Sequence, residues 1–553
     1  MPFEQRIRQV AAAVVVVAGV WTAGAMARTA TPRFYADDPI WRDPETQDAS
    51  NVQEVDVSGQ YDLIENSFLG AGDHTLKRAE NVNTVGEVPD SSWFTNRIGR
   101  RPMAIAELVK GPDTGTGPAA GTWTILARKS EGVTPGFTIQ DSTGEIYWIK
   151  FDPKSNPEMA SGAEAISTKF FHAFGYHVPE NYLTTFRAEQ LVIREGATMK
   201  DEDGRPRPLT RDDIDDILED AARRSDGSYR VLASRNLPGR PVGPFRYYGT
   251  RPDDPNDIFP HEHRRELRGL SVFSAWLNHD EVRSTNSLNT VIESGGRRIV
   301  RHHLLDFGST LGSGSVKAQS RRAGNEFIWE SRPTFITMLT LGLYVRPWLK
   351  VPYPDIPAVG RIESTYYRPD EWKPDYPNPA FKNAGEEDRF WAARIVSALN
   401  EQAVKAIIAT ANYGDPAATE YLTRIVLERR IKVLTTWLNA TNPLVNVTMS
   451  PSGELTFENE AEKAGVGKAA ERYSVQWSRF DNDANQHEPF GPEVTSASPR
   501  IQAPADLFAS RPEYLAARLR AHHSDFPAWS QPLVAYFRRS GEGWMLVGLE
   551  RNP

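Results

Sequence analysis

The chain has 553 residues, of which 39% are hydrophobic and 25% charged, a composition typical of a globular protein with room for two or three domains. The formal net charge of −8 gives no sign of the basic surface that nucleic-acid binding requires. The absence of cysteine excludes thiol nucleophiles, cysteine-ligated zinc and disulfide bonds.

The beginning of the chain has the parts of a secretory signal peptide. Two arginines precede an apolar run over residues 10–26, and Ala25-Met26-Ala27 matches the small-residue pattern of a cleavage site. We therefore expect residues 1–27 to be removed and the mature bacterial protein to be periplasmic or secreted. An uncleaved membrane anchor is the alternative, because the run approaches the length of a membrane span. No other segment is apolar enough to span, so none is expected in the mature chain.

The next part of the chain changes from irregular to β-rich. Residues 28–118 are polar and rich in proline and aspartate, and we expect an extended arm. Residues 119–190 contain TWTILARKS, GFTIQD and EIYWIKFD, which are separated by turn residues and predict antiparallel hairpins. The stretch that follows predicts a helix with Ser161 as its N-cap and Gly175 at its end.

Residues 191–441 are predicted to be mainly helical. Thr210 and Asp213 form the pattern of a capping box at the start of a short helix. The stretch LNTVIESGGRRIVRHHLL predicts a hairpin, and residues 384–440 predict a packed pair of helical segments. Alternating apolar and polar residues over 442–553 predict a small β-sandwich-like domain. The fold class is therefore expected to be α+β.

The polar residues of this α+β chain follow the order that phosphoryl transfer requires. Such a site needs a cover over the phosphates, a cation, oxygen ligands for magnesium and a carboxylate near the attacking hydroxyl. The turn KSEGVTPGF, with Gly132 and Gly136, lies between two predicted strands and could form the cover. The other candidates, in chain order, are Lys150, Glu164, Asp280, Asn286 and Asp306, the last within Asp306-Phe307-Gly308.

This succession resembles a protein-kinase-like fold over about residues 120–440, and most closely its atypical branch, the HipA-type and the CotH-type (spore-coat) kinases. The resemblance implies two lobes, a β-rich N-lobe at 119–190 and a helical C-lobe at 191–441, with ATP and Mg²⁺ as cofactors. It also implies a role for each candidate. Lys150 would hold the α- and β-phosphates and pair with Glu164, Asp280 would orient or deprotonate the acceptor hydroxyl, and Asn286 and Asp306 would hold the metal.

Several of these residues have other interpretations. Members of the family usually place asparagine five residues after the catalytic aspartate, where this chain has Thr285, and Asn289 is a second candidate for the metal. Glu164 could complete a capping box with Ser161. The Asp306-Phe307-Gly308 triplet could be only a turn in which Gly308 supplies a positive φ.

The sequence therefore suggests an exported ATP- and magnesium-dependent phosphotransferase that acts on a protein hydroxyl or another envelope component. A catalytically inactive pseudokinase that serves as an envelope binding module is the alternative. A proline- and aromatic-rich segment over residues 343–379 could be a docking surface or an extended cover on the helical part.

Overall fold

The computed structural model describes residues 31–128, 136–201 and 205–553, and it is a mixed α+β protein with several sheets. The helices are α1 (Gly59–Ile64), α2 (Ile105–Lys110), α3 (Met159–Phe174), α4 (Arg211–Asp220), α5 (Arg265–Leu277), α6 (Ser331–Leu339), α7 (Pro379–Lys382), α8 (Glu386–Ser397), α9 (Glu401–Ala409), α10 (Pro416–Leu438) and α11 (Glu460–Lys463).

The strands of the first half are β1 (Trp123–Arg128), β2 (Gly136–Gln140), β3 (Ile146–Phe151), β4 (Asn181–Phe186), β5 (Leu191–Ile193), β6 (Thr198–Lys200), β7 (Pro206–Pro208), β8 (Tyr229–Arg235), β9 (Arg240–Pro241), β10 (Ser287–Ser294) and β11 (Arg297–Leu304). Those of the last part are β12 (Leu444–Met449), β13 (Glu454–Asn459), β14 (Arg472–Asp481), β15 (Gln486–Ser496), β16 (Arg500–Gln502), β17 (Tyr514–His522), β18 (Leu533–Ser540) and β19 (Gly543–Arg551).

The predicted hairpins of the N-terminal half form a six-stranded sheet in the order β4-β8-β3-β2-β1-β5. All its neighbours are antiparallel except β1 and β5, which run parallel. One face of this sheet buries a cluster that includes Ile125, Phe137 and Ile149 against helix α4. Thr210 and Asp213 close the start of α4 with the predicted capping box.

Helix α3 ends at Gly175 as predicted, but it begins two residues earlier than Ser161. The prediction that Ser161 is the N-cap was wrong, because Glu158 holds that position. Ser161 lies in the first turn, where its backbone N–H donates to Asp152 at 2.9 Å and its hydroxyl donates to the same carboxylate. Asp152, directly after β3, therefore fixes the start of the helix.

Strands β10 and β11 form the predicted hairpin in an unbroken antiparallel register, from Ser287 opposite Leu304 to Ser294 opposite Arg297. The connecting Gly295 and Gly296 both have positive φ, 58° and 78°, which a two-residue turn of this twist requires. The hairpin thereby brings the segment after β11 back beside the segment before β10.

The helical part and the C-terminal strands share one buried cluster. It contains Trp276 of α5 and Val426 of α10, and it continues to Leu444 of β12 and Trp477 of β14. The C-terminal strands form two sheets, one in the order β12-β13-β16 and one in the order β15-β14-β17-β18-β19. The guanidinium of Arg551 adds a cation–π contact, 4.2 Å from the ring centre of Phe390.

The segment over residues 31–118 packs against the other parts, and its Trp93, Phe94 and Leu108 belong to the main buried cluster. Phe34 is buried on the five-stranded C-terminal sheet, where its ring contacts Phe480, Tyr514 and Tyr536. Further on, Val52 joins a small apolar cluster with the β10–β11 hairpin.

Within the described ranges, no helix is long and apolar enough to cross a bilayer.

Phe34→Ala is expected to destabilise the protein by about 3 kcal/mol or more, because the truncation leaves a cavity among aromatic rings. Denaturant unfolding would measure the loss, and limited proteolysis would show faster cleavage between residues 36 and 56. The neighbouring Tyr35, which is 52% exposed, offers the matched control Tyr35→Ala. Equal effects of the two substitutions would contradict the anchoring role of Phe34.

Candidate functional site

Three of the predicted residues meet in one ionic cluster. The Nζ atom of Lys150 lies 2.9 Å from both carboxylate oxygens of Glu164 and 2.9 Å from Oδ1 of Asp306. The three residues come from strand β3, helix α3 and the turn after β11. Glu164 therefore makes an ion pair rather than the alternative capping box with Ser161.

The local structure explains why these side chains converge. Ile149 and Phe151 point into the buried cluster of the sheet, so Lys150, between them, lies on the opposite face. Glu164 is on α3, whose packing on the sheet brings its carboxylate to the lysine. Asn181 on β4 also approaches Glu164, with Nδ2 3.5 Å from Oε1.

Burial decreases across the cluster toward solvent. The side chains of Glu164, Lys150 and Asp306 are 3%, 16% and 37% exposed, so the cluster opens at Asp306. Burial opposes the charged form of Lys150, but Asp306 and Glu164 outweigh that effect and raise the pKa of Lys150 above its usual value. The lysine is therefore a permanent cation held between two acidic groups.

The Asp306-Phe307-Gly308 turn has an unusual backbone. Asp306 itself takes the left-handed conformation, with φ 59° and ψ 60°, and Gly308 does not have a positive φ. The interpretation of the triplet as a turn in which Gly308 supplies that conformation is therefore wrong. A Cβ on Gly308 would lie 3.3 Å from Oε2 of Glu164, so glycine here permits close approach to the ionic cluster.

A cluster of packed rings supports this turn. The ring of Phe307 lies 4.7 Å from that of Phe171 on α3 and 5.6 Å from His279, centre to centre. Burial lowers the pKa of His279 to about 3, although the negative charge of Asp306 acts in the opposite direction. His279 is therefore a neutral packing residue that joins the turn to the segment after α5.

Asp280 directly follows that histidine and is almost fully buried, at 4% exposure. Its Oδ1 accepts a hydrogen bond from Nε2 of Gln319, and the same amide group also donates to the carbonyl of Ser309. Burial, followed by the negative charges of Asp375 and Glu281, raises the pKa of Asp280 well above its usual value. A carboxyl group in this environment is suited to accept a proton.

A chain of side-chain amides extends from Asp280 to the surface. Gln319 accepts a hydrogen bond from Asn278 at 2.9 Å, and Asn278 in turn accepts one from the indole of Trp372 at 2.9 Å. The backbone N–H of Asp375 donates to the Asp280 carbonyl at 2.9 Å. The segment around residues 372–375 therefore positions the candidate base from two sides.

The two candidate metal asparagines are placed differently. Asn286 precedes β10, and its carbonyl accepts the N–H of Leu305, which brings it beside Asp306. Its side-chain Nδ2 donates to the Glu281 carbonyl at 2.9 Å. This bond uses the amide nitrogen and not the amide oxygen, which is the atom that would bind a metal.

Asn289 lies further along the hairpin and uses both ends of its amide in structural bonds. Its Oδ1 is 2.8 Å from Nδ1 of His302, and its Nδ2 donates to the Pro244 carbonyl at 3.3 Å. The ring of His302 is stacked on Trp93 at 3.5 Å between centres. The geometry favours Asn286 over Asn289 as a neighbour of Asp306.

The predicted phosphate cover is described only at its end. Gly136 is the first residue of β2 and pairs across the sheet with Lys150. Gly132 lies outside the described residues. The cover segment is thus joined to the sheet directly beside the lysine.

The described residues contain no group of three or more histidine, aspartate or glutamate side chains that could hold a metal ion. A pair of one aspartate and one asparagine would not form such a group, and magnesium commonly keeps several water ligands. The donor set of Asp306 and Asn286 therefore fits magnesium by its oxygen chemistry.

Sequence reasoning missed the contacts of Gln319 and Asp375 with Asp280 and the bond from Trp372 to Asn278. No motif or spacing marks these contacts, because the three residues lie in irregular segments. The aromatic segment that contains Trp372 was predicted as a docking surface or a cover. Tyr367 and Tyr376 in this segment are buried, which favours the cover for this part.

No protein family, no curated protein and no solved structure matches this chain. The chemical interpretation therefore depends on the geometry of the site.

Lys150→Met is expected to destabilise the fold by about 3–5 kcal/mol, because Glu164 would remain buried without its cation. The double variant Lys150→Met/Glu164→Gln should lose clearly less than the sum of the single variants, as measured by urea unfolding. The exposed pair of Glu401 and Lys405 is the control, and its coupling is expected to be much smaller because solvent screens both charges. Additive losses at Lys150 and Glu164 would contradict the buried pair.

The unfolding free energy of Asp280→Asn, relative to that of the wild type, is expected to increase as pH rises from 5 to 8. A raised pKa means that the folded state holds a proton at Asp280, so this stabilising contribution is present at low pH and is lost as pH rises through the folded-state pKa. The asparagine cannot ionise and avoids that loss. Urea unfolding at both pH values measures the difference, with the exposed helical Asp216→Asn as control. A difference from wild type that is equal at both pH values would contradict the assignment.

Proposed function

We propose that this protein is an exported, ATP- and magnesium-dependent phosphotransferase with an atypical protein-kinase-like fold, which transfers phosphate to a protein hydroxyl. The observation that carries the proposal is the contact of one lysine on β3 with both Glu164 on α3 and Asp306 after β11. A strand lysine held by a helix glutamate beside the aspartate of a D-F-G turn is the arrangement that kinases use to position phosphates and metal.

The architecture supports the same proposal at a larger scale. A six-stranded sheet with helix α3 on one face precedes a helical part built on α5, α8 and α10. The candidate residues lie where these two parts meet, because Lys150 and Glu164 belong to the first and Asp280 and Asp306 to the second. A nucleotide site between a β-rich lobe and a helical lobe would have this position.

The residues present fit the two cofactors by their chemistry. Lys150 would hold the inner phosphates, and Asp306 with Asn286 would hold Mg²⁺, while Gly136 lies beside Lys150 at the end of the cover segment. Bound magnesium would supply charge neutralisation at the phosphates. Because Asp306 is the most exposed member of the cluster, it is the carboxylate that can exchange the lysine for a metal ion.

Asp280 would act on the acceptor. Burial raises the pKa of Asp280, and a higher pKa makes the ionised carboxylate a stronger base. Gln319 now donates to it, so an acceptor hydroxyl would have to replace that amide as the hydrogen-bond donor. We infer that the loop containing Gln319 moves when an acceptor binds.

A second candidate function is an inactive pseudokinase that serves as an envelope binding module. The observation that favours it is the 4% exposure of Asp280, which no acceptor could reach in this arrangement. Thr285 also stands at the position where the family usually has asparagine. This function predicts nucleotide binding without transfer, or no nucleotide binding at all.

Mg-ATP is expected to raise the melting temperature of the full chain, and EDTA should abolish the rise. Ligand at a hundred times its dissociation constant adds about 2.7 kcal/mol to the stability of the native state. Asp306→Asn should remove the magnesium-dependent part of the shift, and the exposed Asp370→Asn should retain it. Differential scanning calorimetry with and without Mg-ATP makes the measurement.

Transfer of radiolabelled phosphate to an envelope-protein extract then separates the two functions. The phosphotransferase should label acceptors, and Asp280→Asn should keep the thermal shift while labelling falls at least about a hundredfold. A thermal shift without any labelling would favour the pseudokinase. No shift at millimolar Mg-ATP would contradict the nucleotide site itself.

A further inference from the structure

The most unusual surface of the molecule is a projecting segment that we call the apolar arm, residues 329–350. It contains helix α6 and the turn that follows it, and none of the nine residues of α6 is buried. Large apolar side chains along the arm are between 60% and 90% exposed: Phe335, Met338, Leu339, Leu341 and Leu343. Soluble proteins seldom expose such a continuous apolar set unless it binds something.

The exposed apolar side chains form one stripe along the helix. Phe335, Met338 and Leu339 have the i, i+3, i+4 spacing that places side chains on one face of α6, and Leu341 and Leu343 continue past its end. Pro333, Thr337 and Thr340, on the opposite side, are only partly exposed. A helix with one exposed apolar face can lie in the plane of a membrane surface with that face in the lipid.

The threonine hydroxyls of the arm and the backbone N–H groups of the turn after α6 are already satisfied within the arm. The hydroxyls of Thr334, Thr337 and Thr340 donate to the carbonyls of Glu330, Pro333 and Ile336 at 2.8, 2.9 and 2.9 Å. The backbone N–H groups of the turn, residues 341–344, also donate to acceptors inside the arm. A segment that leaves water for hydrocarbon needs this internal pairing, because lipid offers no hydrogen bonds.

The charges and aromatic rings of the arm are confined to its ends. No charged residue occurs from 333 to 345, and Arg332, Arg346 and Lys350 lie on either side of this run. Arg346 is paired with Glu326, whereas no ion pair of Arg332 or Lys350 occurs among the described residues. Trp329, Tyr344 and Trp348 are also near the ends, as in segments that sit at a membrane–water interface.

The length of the uncharged run distinguishes a segment that spans a membrane from one that lies at its surface. A span requires about 20 apolar residues, whereas a run of 10–14 that is not buried in protein is typical of an interfacial segment. The run from 333 to 345 has 13 residues. We propose that the apolar arm inserts into the surface of a lipid bilayer, with its basic residues at the headgroups, and that it does so independently of nucleotide binding.

The absence of cysteine allows a direct test with single labels. An environment-sensitive NBD fluorophore on Leu341→Cys is expected to shift its emission to the blue and to resist an aqueous quencher when phosphatidylcholine–phosphatidylglycerol vesicles are added. The matched control is Ile258→Cys, a position that is 67% exposed but outside the arm, where the label should stay in water. The leading 27 residues are common to both variants, so the difference reports the arm itself.

A second variant measures the contribution of the apolar side chains. Leu341→Glu/Leu343→Glu should weaken vesicle partitioning of the arm by more than about tenfold, as reported by NBD at Met338→Cys. Both leucines are exposed, so the substitutions should leave the melting temperature close to that of the parent. Weaker binding to vesicles without phosphatidylglycerol would support the role of the basic ends.

Two results would overturn the proposal. A label at position 341 that stays accessible to the quencher at saturating lipid would show that the arm remains in water. A blue shift that depends on protein concentration without vesicles, together with a dimer in sedimentation velocity, would show that a second copy of the chain covers the arm instead.

Discussion

The positive charge of Lys150 is the constraint on which the candidate site depends. A lysine that is mostly removed from water needs negative partners, and here it has two that come from different parts of the chain. Glu164 ties it to α3, and Asp306 ties it to the turn after β11. One ammonium group therefore links the sheet, the helix and the turn after the hairpin. The same group is the one that an anionic ligand would contact.

The contacts of Asp280 follow from a different constraint, which is that a buried polar group needs a hydrogen-bond partner. Its carboxyl has lost contact with water, and Gln319 provides the hydrogen bond that water would have given. Asn278 and Trp372 continue this chain of bonds. Any event that moves the loop of Gln319 or the aromatic segment of Trp372 must therefore change the environment of Asp280, which couples two irregular segments to the chemistry of one side chain.

The regular elements could be predicted from the sequence because their signals are local. The capping box at Thr210, the end of α3 at Gly175 and the Gly295-Gly296 hairpin are each set by residues a few positions apart. The prediction that Ser161 is the N-cap was wrong because its hydroxyl donates to Asp152. Local helix preferences do not reveal a contact of this kind between two elements. The pairing of Lys150 with Glu164 was implied by the resemblance, whereas the contact of Lys150 with Asp306 was not predicted and Gln319 carried no signal. The kinase-like interpretation of these residues remains a proposal.

The position of Phe34 has a consequence for how the chain reaches this structure. Its partners lie on strands that contain Phe480, Tyr514 and Tyr536, hundreds of residues later in the sequence. Contacts of such long separation form late, since loop closure must precede them. During synthesis the segment that contains Phe34 leaves the ribosome long before the strands of the sheet that it packs on. The first described segment is therefore expected to be among the last to dock, and a chain truncated before β18 would leave it without its binding surface.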